Sequence, residues 1–291
     1  MSIQEATNIL VKISKYAGES LAYIQGGGGN TSVKISSSEM LVKSSGTNLK
    51  SLTPTLGYCK VDHKKINDFI HSDKRNISFE TVIQESKIDG NGRPSMETGF
   101  HSQLGNYVLH SHPVYINTFL CSTESKIRLN ELIPEAHWIE YATPGEAVTF
   151  KLKEIIEDKK LNPYKDDLIF LLENHGIIVS SNNHLAITEI HEEINNRIKK
   201  AYSFEKFESF ESSSDLNGLP TIFPDQIVYI SKDPELQTLG SKETFASARY
   251  ILSNMKNLGL TPKELSSKEK DLIINLDSEK YRQKIINNGT D

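Results

Sequence analysis

Asn106-Tyr107-Val108-Leu109-His110-Ser111-His112-Pro113 is the stretch on which the reading of this chain turns. Tyr107, Val108 and Leu109 are strand formers, and alternate side chains of a strand share a face. His110 and His112 therefore point the same way, at the spacing of two ligands to one metal ion. Neutral imidazole is the commonest transition-metal ligand, and a catalytic zinc-type site takes three protein ligands. The pair by itself is also compatible with a solvated strand that happens to carry two histidines. A metal site requires other groups that converge on it.

Two candidates flank the pair. Downstream, Asp167-Leu168-Ile169-Phe170-Leu171-Leu172 reads as a buried strand by its continuous hydrophobicity. It stops at Glu173-Asn174-His175-Gly176, and Ile177-Ile178-Val179 resumes at once. The tetrapeptide is a tight hairpin or bulge in which Gly176 supplies backbone freedom. A histidine in such a turn is a candidate ligand or catalytic group. Upstream, the turn residues Asp89-Gly90-Asn91-Gly92-Arg93-Pro94 deliver the chain to Ser95-Met96-Glu97-Thr98. Glu97 is a carboxylate at the start of a short helix, Thr98 to Gly105, and close enough in sequence to share a site with His110.

Small-residue loops precede these elements. Gly26-Gly27-Gly28-Gly29-Asn30-Thr31-Ser32 leads into a strand from Val33, and Met40 to Lys43 is a second strand leading into Ser44-Ser45-Gly46-Thr47-Asn48. Glycine without side-chain bulk lets a ligand approach backbone N–H groups, so the first loop is either a phosphate-holding loop or a flexible turn. It is not a P-loop, because no Gly-Lys-Ser/Thr follows and a strand replaces the helix. Further elements are a helix from Ile3 to Tyr16, a strand Tyr58 to Asp62 and a loop or short helix to Ile70. They continue with a helix Pro113 to Cys121, a strand Trp138 to Ala142 and a helix Glu146 to Ile156. A last helix of this portion spans Asn183 to about Phe210. His63, His71, His184 and His191 read as surface residues.

The division expected is a domain over 1–210 and an extension over 211–291 that packs on the core or at subunit contacts. Ser212 to Gly218 reads as a linker, Ile227-Val228-Tyr229-Ile230 as a strand, and Phe245–Leu258 and Leu265–Ile286 as helices. No catalytic constellation is expected there. Acidic and basic residues are mixed along the chain, with a formal net charge of −5. There is no broad basic field for nucleic acid. Cys59 and Cys121 form no metal or redox motif, which fits a reducing cytoplasm. No apolar run approaches the roughly 18 residues of a membrane span, and no signal segment is expected.

With Gly28-Gly29-Asn30-Thr31-Ser32, Ser44-Ser45-Gly46, Pro94-Ser95-Met96-Glu97, His110-Ser111-His112 and Asn174-His175-Gly176 in this order, the chain resembles the class II aldolase/adducin family from roughly Ile3 to Phe210. Arg93-Pro-Ser-Met-Glu-Thr and Phe223-Pro-Asp-Gln-Ile-Val look most like the aldolase portion of bifunctional rhamnulose-1-phosphate aldolase/short-chain dehydrogenase proteins. The resemblance implies a three-layer α/β/α fold with a largely antiparallel central sheet, often in a homotetramer. It implies that His110, His112 and His175 bind a divalent ion, zinc first among them, and that Glu97 moves a proton on and off carbon. A ketose 1-phosphate would chelate the metal and break to an aldehyde and an enediolate, its phosphate held by Gly29, Asn30, Thr31, Ser45, Gly46 and Ser95. Many sugar-phosphate aldolases of the family have two serines before the glutamate, whereas here the second is Met96, which cannot donate to phosphate. The family's epimerases tend to carry aspartate at the Glu97 position, so an aldolase is favoured over an epimerase or dehydratase. Retained histidines argue against a non-catalytic adducin-like module.

Overall fold

The computed structural model describes residues 1–72, 76–207, 219–230, 238–276 and 280–281. Its strands are β1 (Asn30–Lys34), β2 (Glu39–Lys43), β3 (Tyr58–Asp62), β4 (Lys87–Gly90), β5 (Tyr107–Ser111), β6 (His137–Ile139), β7 (Leu168–Leu172) and β8 (Gly176–Ser181). They form one sheet of order β4-β3-β2-β1-β5-β8-β7-β6. Every pairing is antiparallel except β6 with β7, which is parallel. The helices of the first two thirds are α1 (Ile3–Gly18), α2 (His63–Ile70), α3 (Phe79–Glu85), α4 (Thr98–Gln103), α5 (Val114–Leu120), α6 (Ser125–Leu132), α7 (Glu146–Asp158) and α8 (Ala186–Ala201). After these come α9 (Asp225–Tyr229), α10 (Leu239–Leu258) and α11 (Ser267–Asn275). Among the described residues no helix is long and apolar enough to cross a membrane.

Strand alternation sorts the core into two layers. Leu109 of β5, Val33 of β1 and Ile177 and Val179 of β8 face one side, where they join Leu10 and Ile13 of α1, Phe119 of α5 and Ile194 of α8. Val108 and Ile178, one residue out of phase, face the other side with Phe100 of α4 and Val148 and Leu152 of α7. This is the expected three-layer α/β/α arrangement. Burying a side chain such as Leu109 contributes about 1.5–3 kcal/mol. That burial on both faces fixes the register, because a one-residue slip would exchange the two faces.

Four local expectations are corrected. Ile227-Val228-Tyr229 is helical, in α9, not extended. Pro224 enters that helix as its N-cap residue with helical dihedrals, and Val228 and Tyr229 pack on Leu265 and Ile273. His63 is buried at the start of α2, with its Nε2 beside the Ser36 carbonyl at 3.2 Å. His191 is fully buried in α8 and hydrogen-bonded to Ser111. In the β7–β8 turn the positive φ belongs to Asn174 (52°), not to Gly176. Gly176 has a different duty: a Cβ there would lie 2.2 Å from the Ser111 carbonyl oxygen and 2.9 Å from the His112 ring. The expected linker Ser212–Gly218 and the end of the helix expected to Ile286 lie outside the described residues.

The chain beyond α8 is joined to the same core. Ile222, Phe223, Ala248, Ile251 and Met255 belong to the cluster of α1 and α5. Asn174 donates from its amide to the carbonyls of Ile222 (2.7 Å) and Lys263 (2.6 Å), tying the β7–β8 turn to this region. Gly176→Ala is expected to destabilise the protein by about 1–3 kcal/mol through overpacking between β8 and β5. Thermal unfolding reads this directly, and an unchanged midpoint would show that the close approach of Gly176 to Ser111 is not required.

Candidate metal centre

β5 ends at Ser111 in the middle of the sheet, and His112 follows with its N–H donated to the Tyr23 carbonyl (2.9 Å). The β7–β8 turn beside it presents His175. The three imidazoles meet with ring centroids 4.8–5.0 Å apart. One nitrogen from each lies within 4.8 Å of the others, close to the width of one ion's coordination sphere, about twice a 2.1 Å Zn–N bond. All three rings are buried.

Hydrogen bonds assign two tautomers. His110 Nδ1 lies 2.9 Å from the Ile177 carbonyl, which can only accept, so Nδ1 carries the proton. His112 Nδ1 lies 2.8 Å from the Asp225 carboxylate and must likewise donate. Their Nε2 atoms then turn lone pairs toward each other at 3.1 Å, an arrangement that needs a cation between them or a proton on one ring. Burial, and then the charges of His110 and His112, push His175 well below the ordinary imidazole pKa, so it stays neutral and able to ligate. Burial alone would push His110 down too, but the Glu97 charge and hydrogen bond and the Ile177 carbonyl outweigh it and raise His110. This donor set fits a divalent transition metal held through three imidazoles.

Glu97 stands at the N-cap of α4, its own N–H donated to Ser95 Oγ (3.2 Å). One carboxylate oxygen is 3.3 Å from His110 Nε2 and 3.7 Å from His175 Nε2, and the other receives the Asn30 amide at 3.5 Å. Gly29, Glu97, His112, His175 and Asp225 line a cleft of about 10 Å³, the size of one ion or one water. Met96 and Pro144 also line this cleft, and they open on the other side to a larger, mostly apolar cavity of about 350 Å³ bounded by Ser45, Phe79, Arg93, Leu272 and others.

The structure thus brings together His110, His112, His175, Glu97, Gly29 and Asn30, with Ser95 beneath Glu97 and Ser45 and Gly46 in the next loop. Thr31 is not among them. It is one residue out of phase with Asn30 on β1, and its hydroxyl bonds Ser14 of α1 at 2.6 Å on the opposite face. Ser45 uses its N–H on the Arg93 carbonyl (2.9 Å). The Tyr115 hydroxyl accepts from the Phe207 N–H, away from the imidazoles. Two residues of the site escaped the sequence reading. Asp225 lies in the portion expected to carry no chemistry, and its only signal was the Phe223-Pro-Asp string. Lys43 ends β2 fully buried, its ammonium donating to the carbonyls of Gly27 (2.9 Å) and Gly29 (3.0 Å) behind the glycine loop. Nothing in a strand-terminal lysine announces that.

Three histidines that could hold a metal ion, with a glutamate beside them, thus lie at the end of a sheet in an α/β/α sandwich. The model of the class II aldolase and adducin N-terminal domain matches residues 9–200, and the chain belongs to that family. No curated protein matches it. Among solved structures, it is similar to the N-terminal class II aldolase domain of a conserved protein from Thermoplasma acidophilum, at 21% identity and a TM-score of 0.57, covering 66% of this chain and 91% of that one. YgbL from Klebsiella pneumoniae gives 18% identity and a TM-score of 0.52, with 72% and 93% covered. The L-fuculose-1-phosphate aldolase from Thermus thermophilus gives 14% and 0.45, with 67% and 94% covered.

Behind the centre, Ser111 Oγ bonds His191 Nε2 (2.7 Å), and His191 Nδ1 meets the Tyr16 hydroxyl (3.0 Å). Tyr16 and Tyr23 both donate to Glu192 at 2.8 Å. Burial pushes His191 down to about 3, and it does the same to His101, bonded to Ser32 Oγ at 2.7 Å. An unfolded histidine titrates near 6.5, so below that pH the unfolded chain binds the extra protons. Stability is therefore expected to be full above about pH 6.5 and to fall toward pH 3, at about 1.4 kcal/mol per pH unit for each histidine. Denaturant titrations of wild type and His191→Gln should show a shallower acid slope for the variant.

Proposed function

We propose that the protein is a metal-dependent class II aldolase that makes or breaks a carbon–carbon bond next to the carbonyl of a sugar or ketose 1-phosphate. The observation that carries this reading is the Glu97 carboxylate oxygen at 3.3 Å from His110 Nε2 and 3.7 Å from His175 Nε2, buried beside the imidazoles. A divalent ion, zinc by preference, held by His110, His112 and His175 would polarise the carbonyl and neutralise charge that develops on its oxygen. Glu97 takes a proton from the carbon beside the carbonyl in the joining direction and returns it after cleavage. The Asn30 amide orients the carboxylate, and the Ser95 hydroxyl fixes the backbone from which it projects. Burial keeps bulk water from competing for that proton.

The other end of the substrate would lie against Gly29, Asn30, Ser45, Gly46 and Ser95, with Lys43 adding positive charge behind the glycine loop. Met96 replaces a hydroxyl donor on this wall, so phosphate there would lack one hydrogen bond, about 1.5–3 kcal/mol if charge-assisted. Kinship with the aldolase portion of rhamnulose-1-phosphate aldolase/dehydrogenase proteins, and assembly as a homotetramer, belong to the same reading.

The test is incubation of the zinc-loaded protein with dihydroxyacetone phosphate and a panel of aldehydes, with carbon–carbon bond formation followed by product analysis. Glu97→Gln is expected to keep the metal and lose turnover by about 100-fold or more. His110→Ala is expected to lose the metal itself, read by elemental analysis after growth in metal-replete medium. A metal-free Glu97→Gln protein would contradict this division of roles.

A further inference from the structure

We propose that Asp225 is a positioning residue of the metal centre, so that the chain beyond the matched family region is a working part of the site. This inference rests on the reading of His110, His112 and His175 as metal ligands. The Asp225 carboxylate and the His112 ring are both buried and 2.8 Å apart, across 113 residues of sequence. A carboxylate on Nδ1–H holds the imidazole in the tautomer whose Nε2 lone pair faces the centre, fixes the ring plane and makes the ligand nitrogen more basic. The other two rings are held differently. His110 has only a neutral carbonyl on Nδ1, and His175 Nδ1 is buried with no hydrogen-bond partner among the described residues. Asp225 is thus the one anionic support, among the described residues, on a ligand's Nδ1.

A second observation comes from the glycine loop. A Cβ on Gly28 would lie 2.6 Å from the Asp225 carboxylate and 2.9 Å from His112 Nδ1. The bare backbone at Gly28 makes room for the carboxylate–imidazole contact. One glycine of a loop that reads in sequence as a phosphate cradle therefore serves the metal ligand. The carboxylate is delivered by α9, which Ser241 of α10 holds through the Tyr229 carbonyl, and Asn174 ties the His175 turn to Ile222 and Lys263. Two of the three ligands are thus braced by residues after 220.

The experiment is zinc affinity of the full chain, measured by competition with a chromophoric chelator, together with the visible spectrum of the cobalt-loaded protein. Asp225→Asn, nearly isosteric, is expected to remain folded and to bind zinc 10- to 100-fold more weakly, with an altered cobalt spectrum. Gly28→Ala should weaken zinc through the same contact, and the double variant should lose less than the product of the two single losses. Asp225→Asn with zinc affinity within twofold of wild type and an unchanged cobalt spectrum would overturn the proposal, as would fully multiplicative losses in the double variant. Failure of the folded wild-type chain to bind either ion would instead bring down the metal-centre reading, and this inference with it.

Discussion

Two imidazole nitrogens that face each other across 3.1 Å in a buried site are the constraint on which the rest of this structure depends. The two nitrogens are too close for both to present lone pairs unaided, so the contact must be stabilised by something positive beside the rings or by protonation of one of them. The surroundings favour positive charge there. Glu97 and Asp225 bring two buried carboxylates to three imidazoles, and Lys43 offsets part of that from behind the loop. Desolvating those charges is costly unless they are compensated locally.

The sheet supplies the rigidity this requires. β5 lies between β1 and β8, with His110 opposite Asn30 on one side and Ile178 on the other. Its two faces have different tasks. The His110 face meets α4 and the Glu97 carboxylate, while Ser111 on the other face engages His191 and, through it, Tyr16. A hydrogen-bonded network behind β5 resists small displacements of the strand that carries His110. The hairpin that carries His175 is pressed against β5 by the absence of a side chain at Gly176.

His110, His112, His175 and Glu97 could be picked out as candidates from the residues alone because their signals are local. A strand with His-x-His, a turn holding His175 between two apolar runs, and a carboxylate opening a short helix each carry a periodic signal. What escaped was non-local or a matter of phase. Thr31 differs from Asn30 by one step of a strand whose beginning composition does not fix, and that step moves its hydroxyl to the far side of the sheet. Ile227-Val228-Tyr229 has the composition of a strand, yet the backbone after Pro224 is helical and buries Val228 and Tyr229 against Leu265 and Ile273. His191 sits on the buried face of an amphipathic helix, and its partner Ser111 is 80 residues away. Sequence spacing carries no information about a contact of that range. The same holds for Asp225, whose role depends on where a later segment docks.

The contact between His112 and Asp225 also has a bearing on biogenesis. His110 and His112 leave the ribosome as near neighbours and His175 some sixty residues later, but the carboxylate follows only after a further fifty. Closing so long a loop adds little to the equilibrium cost, since the entropy grows only with the logarithm of its length. It does delay assembly, because contacts of such high sequence separation form late. During synthesis the imidazoles therefore exist for a time without the Asp225 carboxylate, and His112 gains that partner only when the segment carrying Asp225 has emerged and docked.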